Sequence, residues 1–433
     1  MTEKIHWPRI DIPAEFQNKF SKYLRHLVYQ GAYERVGKEL SPEYIKRIEA
    51  ELTYIVEYSY PQYFIALYDI VRYARENCIW IGPGRGHTVG SIVCYCLFYD
   101  DIDPLKFKIS SDILMWRETR FMPDVDLDIS KSKRNKLLDY LRNKYGVNHV
   151  LRVKTDHDWN GVVHPCSFFI LDDRTEAVPT RTMFIEDEGR EVIMTDLTKI
   201  ELEEKGYINF DFLNMDFVDV INAIRMNVEK DSGVELDLAN ININDDKILQ
   251  LFTNCETDGI FLFGKGGMKK VLKELPVSSF EDLMALYVLY RPAAMEWLTV
   301  YISRRLGTED IPEFTLVHDI LKSTYGIPLY REQVVKLLTD IGKFSFGEAF
   351  QIYRLMARRQ LDEESIKEGF ENGCKLHGMN SDEGKKLWTL LCQASCTCTF
   401  DRGHAAAYTF AAYQMAWLKV YYPNEFYKTR PKV

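Results

Sequence analysis

A chain of 433 residues that is 46% hydrophobic has the material for two or three domains, each with its own core, and its composition is that of an ordinary globular protein. A net charge of −9 argues against a surface that is basic throughout, so any contact with nucleic-acid phosphates is left to local clusters: Lys265, Lys269 and Lys270, Arg304 and Arg305, and Arg354, Arg358 and Arg359. The opening segment has charges and prolines where a signal peptide needs an apolar run, and no stretch approaches a membrane span, so a cytoplasmic protein with no membrane partner is expected.

In chain order, Ser41-Pro42 reads as a helix start, with Ile45, Ile48, Leu52 and Ile55 marking an apolar face, and a second helix is expected over 63–76. A short apolar run at 78–81, then GPGRGH, then 88–97 reads as strand, glycine-rich turn and helix. Residues 121–129 alternate as a strand, and 135–145 continue as an amphipathic helix ending at Gly146. Strands are expected at 167–171 and 208–212, and the rest is mainly helical, with helices over 280–289, 332–341, 348–359 and 405–422. No internal repeat or low-complexity linker interrupts the chain. Nine cysteines without regular pairing fit reduced thiols, and Cys392, Cys396 and Cys398 near His404 lack the C-x-x-C knuckle of a zinc site, so half-buried thiols are expected there.

The segment Pro123-Asp124-Val125-Asp126-Leu127-Asp128 carries the strongest chemical signal. An extended strand points alternate side chains to one face, so Asp124, Asp126 and Asp128 share a side while Val125 and Leu127 anchor the other. Carboxylates so crowded repel unless cations neutralise them, and hard divalent ions take such oxygen ligands. A lone D-x-D is more often a solvated edge. Here Asp211 lies in a second apolar strand, Ile208 to Leu213, where an unpaired carboxylate would be costly, and if the two strands are neighbours it completes a two-metal site for phosphoryl transfer. Spacing alone does not separate polymerases from nucleases. In the turn Gly82-Pro83-Gly84-Arg85-Gly86-His87, backbone amides entering a helix can cradle phosphate, although the turn is neither a Walker A loop nor a dinucleotide fingerprint.

Taken in order, these stretches resemble the bacterial DNA polymerase III alpha subunit, the C family of DNA polymerases, over nearly the whole chain. The family's G-P-G-R-G-S is met at Gly82 to Gly86, its D-x-D-P-L at Asp101 to Leu105, its M-P-D-x-D-x-D at Met122 to Asp128, and its K-F-D-F-L-G at Asn209 to Asn214. Later matches include Gly267-Met268, Arg291-Pro292, Thr324 to Ile327, Glu332-Gln333, Arg354 before Met356, and FDRGHAAAY at Phe400 to Tyr408. The resemblance implies an α+β fold, with a polymerase-beta-like nucleotidyltransferase palm of mixed sheet and helices plus a mainly α-helical fingers domain. Its expected boundaries are 1–148 for the first part of the palm, 149–165 for a strongly reduced thumb, 166–216 for the second part of the palm and 217–433 for the fingers. It implies a DNA-directed DNA polymerase in which Asp124, Asp126 and Asp211 bind two Mg2+ ions, with Mn2+ as a substitute, and Asp128 supports them. Arg85, Gly86, His87, Arg354, Arg358, Arg402 and His404 are then the nucleotide-binding residues. Primer-template DNA and dNTPs are the expected partners.

Against the family pattern, the PHP domain and the C-terminal clamp-binding and OB-fold regions have no counterpart, so a compact form is expected, with an accessory protein in place of thumb or clamp functions. His87 stands for a serine, Asn209 for a lysine and Gly403 for a serine. Loss of a thumb leaves open a template-independent or primase-like nucleotidyltransferase, and a non-catalytic DNA-binding relative is the third alternative.

Overall fold

The computed structural model describes residues 5–111, 114, 125–155, 163–171, 178–312, 317–361 and 364–429. Contacts divide the chain into two units, Met1–Asn227 and Val228–Val433.

In the first unit, helices α1 (Phe20–Arg35), α2 (Pro42–Glu57), α3 (Pro61–Glu76) and α4 (Ile92–Cys96) precede a six-stranded mixed sheet. Its strands are β1 (Asp126–Ser130), β2 (Val150–Lys154), β3 (Val163–Ile170), β4 (Thr180–Ile185), β5 (Arg190–Thr198) and β6 (Asn209–Met215). Helix α5 (Arg134–Tyr145) follows β1, α6 (Lys199–Glu204) follows β5, and α7 (Asp216–Ser232) leaves β6. The strand order is β1-β6-β3-β2-β5-β4, with β1 and β6 parallel and β3 and β6 antiparallel. The expected α+β architecture is present.

Two-residue periodicity sorts the side chains of the central strands. Leu127 and Ile129 of β1, Phe168 and Ile170 of β3, and Phe210 and Phe212 of β6 join the helices in one core with Phe64, Ile70, Leu97 and Leu138. The alternate residues Asp126, Asp128, Ser167, Asn209 and Asp211 therefore share the other face. Farther along the sheet, Leu151, Val153 and Phe169 form a smaller cluster with Leu202 of α6 and Tyr207. The stretch 150–154, expected within a thumb stub, is strand β2 and lies between β3 and β5, while 156–162 lie outside the described residues.

Two expectations are corrected. The run at 78–81 is not a strand but touches β1 through the single bridge Ile81↔Ile129, flanked by Ser130 N donating to Trp80 O (2.9 Å) and Gly82 N to Asp128 O (2.7 Å). Cys78 sits at φ 54, which breaks the extended run before it can pair further. The helix expected over 88–97 is a 3₁₀ turn, Gly86–Gly90, and then α4, separated by Ser91 in extended conformation. The Ser91 hydroxyl accepts from Cys94 N and starts α4 afresh.

Asp69 of α3 ties down α5 by accepting from the Tyr140 hydroxyl and the Lys144 ammonium. Burial pushes the Asp69 carboxyl up, but those two partners and Arg72 outweigh it and hold it below the usual carboxylate range. A carboxylate depressed on folding stabilises above its ordinary pKa, and that stability disappears as pH falls through the folded value. Asp69→Asn is therefore expected to cost about 1 kcal/mol at pH 7 and almost nothing by roughly pH 2, below the depressed folded value. Urea titrations of both proteins at the two pH values check this, and an equal gap at both would contradict it.

The second unit is helical. Its helices are α8 (Asp246–Thr253), α9 (Gly266–Glu274), α10 (Phe280–Leu289), α11 (Met295–Arg305), α12 (His318–Leu321), α13 (Arg331–Asp340), α14 (Phe346–Ala357), α15 (Glu364–Leu376), α16 (Ser381–Ser395), α17 (Arg402–Tyr421) and α18 (Pro423–Thr429). Capping boxes open α14 (Ser345 and Glu348) and α16 (Asn380 and Glu383). Helix α17 is buried along most of its length, which its run of alanines allows. Among the described residues, no helix is long and apolar enough to cross a membrane.

Candidate active site

The parallel register of β1 and β6 pairs Asp126 with Asp211, and the antiparallel register of β3 and β6 pairs Ser167 with Asp211. Laterally paired residues point to the same side of a sheet, so Asp211 stands between Asp126 and Ser167 on the polar face. Asp124 lies outside the described residues. Among the described residues, no group of three or more His, Cys, Asp or Glu side chains converges as a metal-ligand set.

Asp211 is buried and well supplied with donors. Its Oδ1 accepts from Ser167 Oγ at 2.5 Å, and its Oδ2 accepts from Lys199 Nζ at 2.6 Å and Asn209 Nδ2 at 2.8 Å. Burial alone pushes the carboxyl up, yet the Lys199 ammonium with the Ser167 and Asn209 donors outweighs it, so Asp211 titrates below the ordinary carboxylate range and is ionised at neutral pH. The neighbouring Cys166 thiol is raised by burial and by the charge of Asp211, with Asp126 adding to it against Arg134 and Arg152.

Asp128, two residues along β1, is fully buried and accepts from Arg85 Nε at 2.7 Å. This pair fastens the glycine-rich turn to the strand that carries Asp126. Glycine is required in the turn on two counts. Gly84 has φ +127, and a Cβ there would lie 2.8 Å from Asp100 Cβ, while Gly86 has φ +53 and its missing Cβ would sit 3.9 Å from Asp126 Oδ2. The backbone of the turn consequently passes directly over the Asp126 carboxylate. His87 follows, half-buried, within the 3₁₀ turn.

The motif acids just downstream are structural. Asp101 N donates to Pro83 O at 3.0 Å, and the Asp101 carboxylate pairs with Arg35 at 3.2 Å. Asp103 accepts from the Tyr44 hydroxyl and from Leu105 N at 3.0 Å, which closes its own turn.

In the second unit, Arg402 forms a two-pronged ion pair with Glu281, at 2.5 and 3.1 Å, and lies over the Tyr330 ring at 4.9 Å. His404, two residues on in α17, stacks on Tyr408 with ring centroids 4.3 Å apart. Arg354 and Arg358 at the end of α14 are exposed, as is Arg359. The other basic clusters are largely engaged, Lys269 with Asp258, Arg304 with Glu309 and Arg305 with Asp282. All nine cysteines are free thiols, and burial pushes Cys392 up to about 11 and Cys398 up to about 12.

Sequence reasoning missed Ser167 and Lys199 as partners of Asp211. A signal for the second existed, since Thr198-x-x-Glu201 is a capping box that starts α6 and so fixes where Lys199 stands.

Comparison with known proteins follows the same division. Residues 22–161 match the family described as the bacterial DNA polymerase III alpha NTPase domain, and residues 218–378 match the bacterial DNA polymerase III alpha subunit finger domain. A DNA polymerase III subunit alpha from Halalkalibacterium halodurans is 30% identical over 97% of this chain and 44% of its own length. One from Staphylococcus aureus is 30% identical over 89% of this chain and 42% of its own length. The chain thus spans less than half the length of the curated relatives it matches.

Proposed function

Because this chain belongs to the bacterial DNA polymerase III alpha family, we propose that it is the catalytic core of a DNA-directed DNA polymerase, adding deoxynucleotides to a primer 3′ end by two-metal-ion nucleotidyl transfer. The observation that carries this reading is the register that sets Asp126 level with Asp211 on the polar face of the sheet, beneath the glycine-rich turn. Hard oxygen donors of this kind suit Mg2+, with Mn2+ as a substitute, and Asp124 is the proposed third ligand. When bound, two such ions activate the primer hydroxyl and stabilise the leaving pyrophosphate oxygen.

The chain's own residues supply the rest. Asp211 is kept ionised and oriented by Ser167, Lys199 and Asn209, and Asp128 holds Arg85 and with it the turn. Arg85, Gly86 and His87 line the way for triphosphate oxygens, which backbone amides and a guanidinium bind without reorganisation. In the second unit, Arg354, Arg358, Arg402 and His404 are assigned to nucleotide phosphates. In family terms, the proposed boundaries are 1–148 and 166–216 for the two parts of the palm, 149–165 for the reduced thumb, whose strand β2 is built into the palm sheet, and 217–433 for the fingers. Primer-template DNA, dNTPs and an accessory protein in place of thumb or clamp functions are the partners, and nine free thiols accord with a reducing, cytoplasmic setting.

A primer-extension assay with the purified chain, magnesium and each dNTP tests the reading. Extension that follows the template and is lost in Asp126→Asn is expected. Extension without a template would instead mark a template-independent or primase-like transferase, and none even with manganese would leave a non-catalytic DNA-binding relative.

A further inference from the structure

Position 209 holds an asparagine where the family pattern has a lysine. Asn209 and Asp211 are two residues apart in β6 and point to the same face of the sheet, and Asn209 Nδ2 donates to Asp211 Oδ2 at 2.8 Å. The ammonium of Lys199, arriving from α6, donates to the same oxygen at 2.6 Å. A donor from the strand and a cation from the helix thus converge on one atom.

We propose that Lys199 is a positioning residue that brings, from α6, the positive charge that a lysine at 209 would bring from β6, so that the two positions are alternative seats for one cation beside Asp211. Its part in the chemistry rests on the reading of Asp211 as a catalytic carboxylate given above.

Asp211 is 6% exposed and stands level with Asp126 on the next strand, so two carboxylates meet side by side on a poorly solvated face, where a cation offsets their repulsion. Asn209 carries no charge and is only half used. Its amide nitrogen donates to Asp211, while its Oδ1 is buried with no hydrogen-bond partner. An acceptor stranded in this way marks a seat that suits a side chain with donors alone, and lysine is such a side chain. Lys199 in turn is held at its post by local structure: the Thr198–Glu201 capping box fixes the first turn of α6, and Glu203, one turn on, lies 3.8 Å from the ammonium. The carboxylate keeps its place, and the charge that serves it comes from a different element.

Exchanging the seats in the whole chain tests this. Asn209→Lys in the wild-type background sets two ammonium groups against one carboxylate oxygen and is expected to lower the melting temperature by about 2–4 °C. In Lys199→Gln, which keeps a donor and loses the charge, the same substitution is expected to raise it by about as much. Template-directed extension is expected to fall about tenfold to a hundredfold in Lys199→Gln, the cost of a carboxylate no longer held in place, and to recover most of that loss when Asn209→Lys is added. An Asn209→Lys shift that is equal in both backgrounds shows two independent positions and overturns the proposal. Extension by Lys199→Gln at the wild-type rate, or a double variant no more active than Lys199→Gln, overturns the positioning role. The melting shifts do not depend on turnover, so an Asp126→Asn variant that extends like wild type overturns the polymerase reading, while a reversal of sign still upholds the shared seat.

Discussion

Asp211→Asn is expected to lower primer extension by on the order of a thousandfold or more, at or beyond the top of the range that loss of one preorganised electrostatic contact costs. The substitution is isosteric, so the fold has little reason to change, but it removes a charge on which three neighbours are arranged. Ser167 Oγ and Lys199 Nζ, at 2.5 and 2.6 Å, bond opposite oxygens, so whichever of them faces the NH2 end of the amide loses its acceptor. The register partner Asp126 is then left without a second anionic oxygen donor at its level in the sheet. Single-turnover extension measured beside a thermal melt separates chemistry from folding, and a variant within tenfold of wild type would remove Asp211 from the catalytic centre.

Glu51→Ala is expected to cost about 3–5 kcal/mol, the penalty of breaking a buried hydrogen-bonded ion pair by removing one partner. The Glu51 side chain is 2% exposed, and four donors converge on it. Oε1 accepts from Arg47 Nε at 2.7 Å and Ile92 N at 3.2 Å, and Oε2 accepts from Ser91 Oγ at 2.7 Å and Val93 N at 3.1 Å. A side chain of α2 thereby satisfies the first amides of α4, and Arg47 also reaches Gly90 O at 2.7 Å, so the helical layer holds the far end of the glycine-rich turn. Without Glu51, these amides and the Arg47 guanidinium lose their acceptor inside the core. Urea denaturation reads the loss directly, Glu51→Gln should lose less because it keeps one acceptor oxygen, and a change under about 1 kcal/mol for the alanine variant would show that water replaces the carboxylate.

The parts of this architecture that sequence revealed are those whose cause is local. Alternation in Asp126-Leu127-Asp128 and in Asn209-Phe210-Asp211-Phe212 announces strands with one apolar face, and both strands are there. Helices such as α10, α13 and α14 are written in their apolar spacing and caps. Strands β2 and β4 were not legible for different reasons. Val150-Leu151-Arg152-Val153 is buried throughout and shows no alternation, whereas β4 at the sheet edge is largely exposed and carries few apolar side chains. The partners of Asp211 were hidden because each comes from another element: Ser167 lies across a strand register and Lys199 at the start of a short helix. Ser91 shows the same limit, since a hydroxyl that caps a new helix reads in sequence like any polar residue within a longer one.

The order β1-β6-β3 has a consequence for synthesis of the chain. The strand bearing Asp211 is made last of the three and must slot between two that were made earlier, and non-local pairings of this kind form slowly. A ribosome-bound chain halted short of β6 would carry Asp126 with no opposite number. Under the proposed function such a fragment would be catalytically silent, so any polymerising capability would arrive abruptly, with the closing of one gap in the sheet.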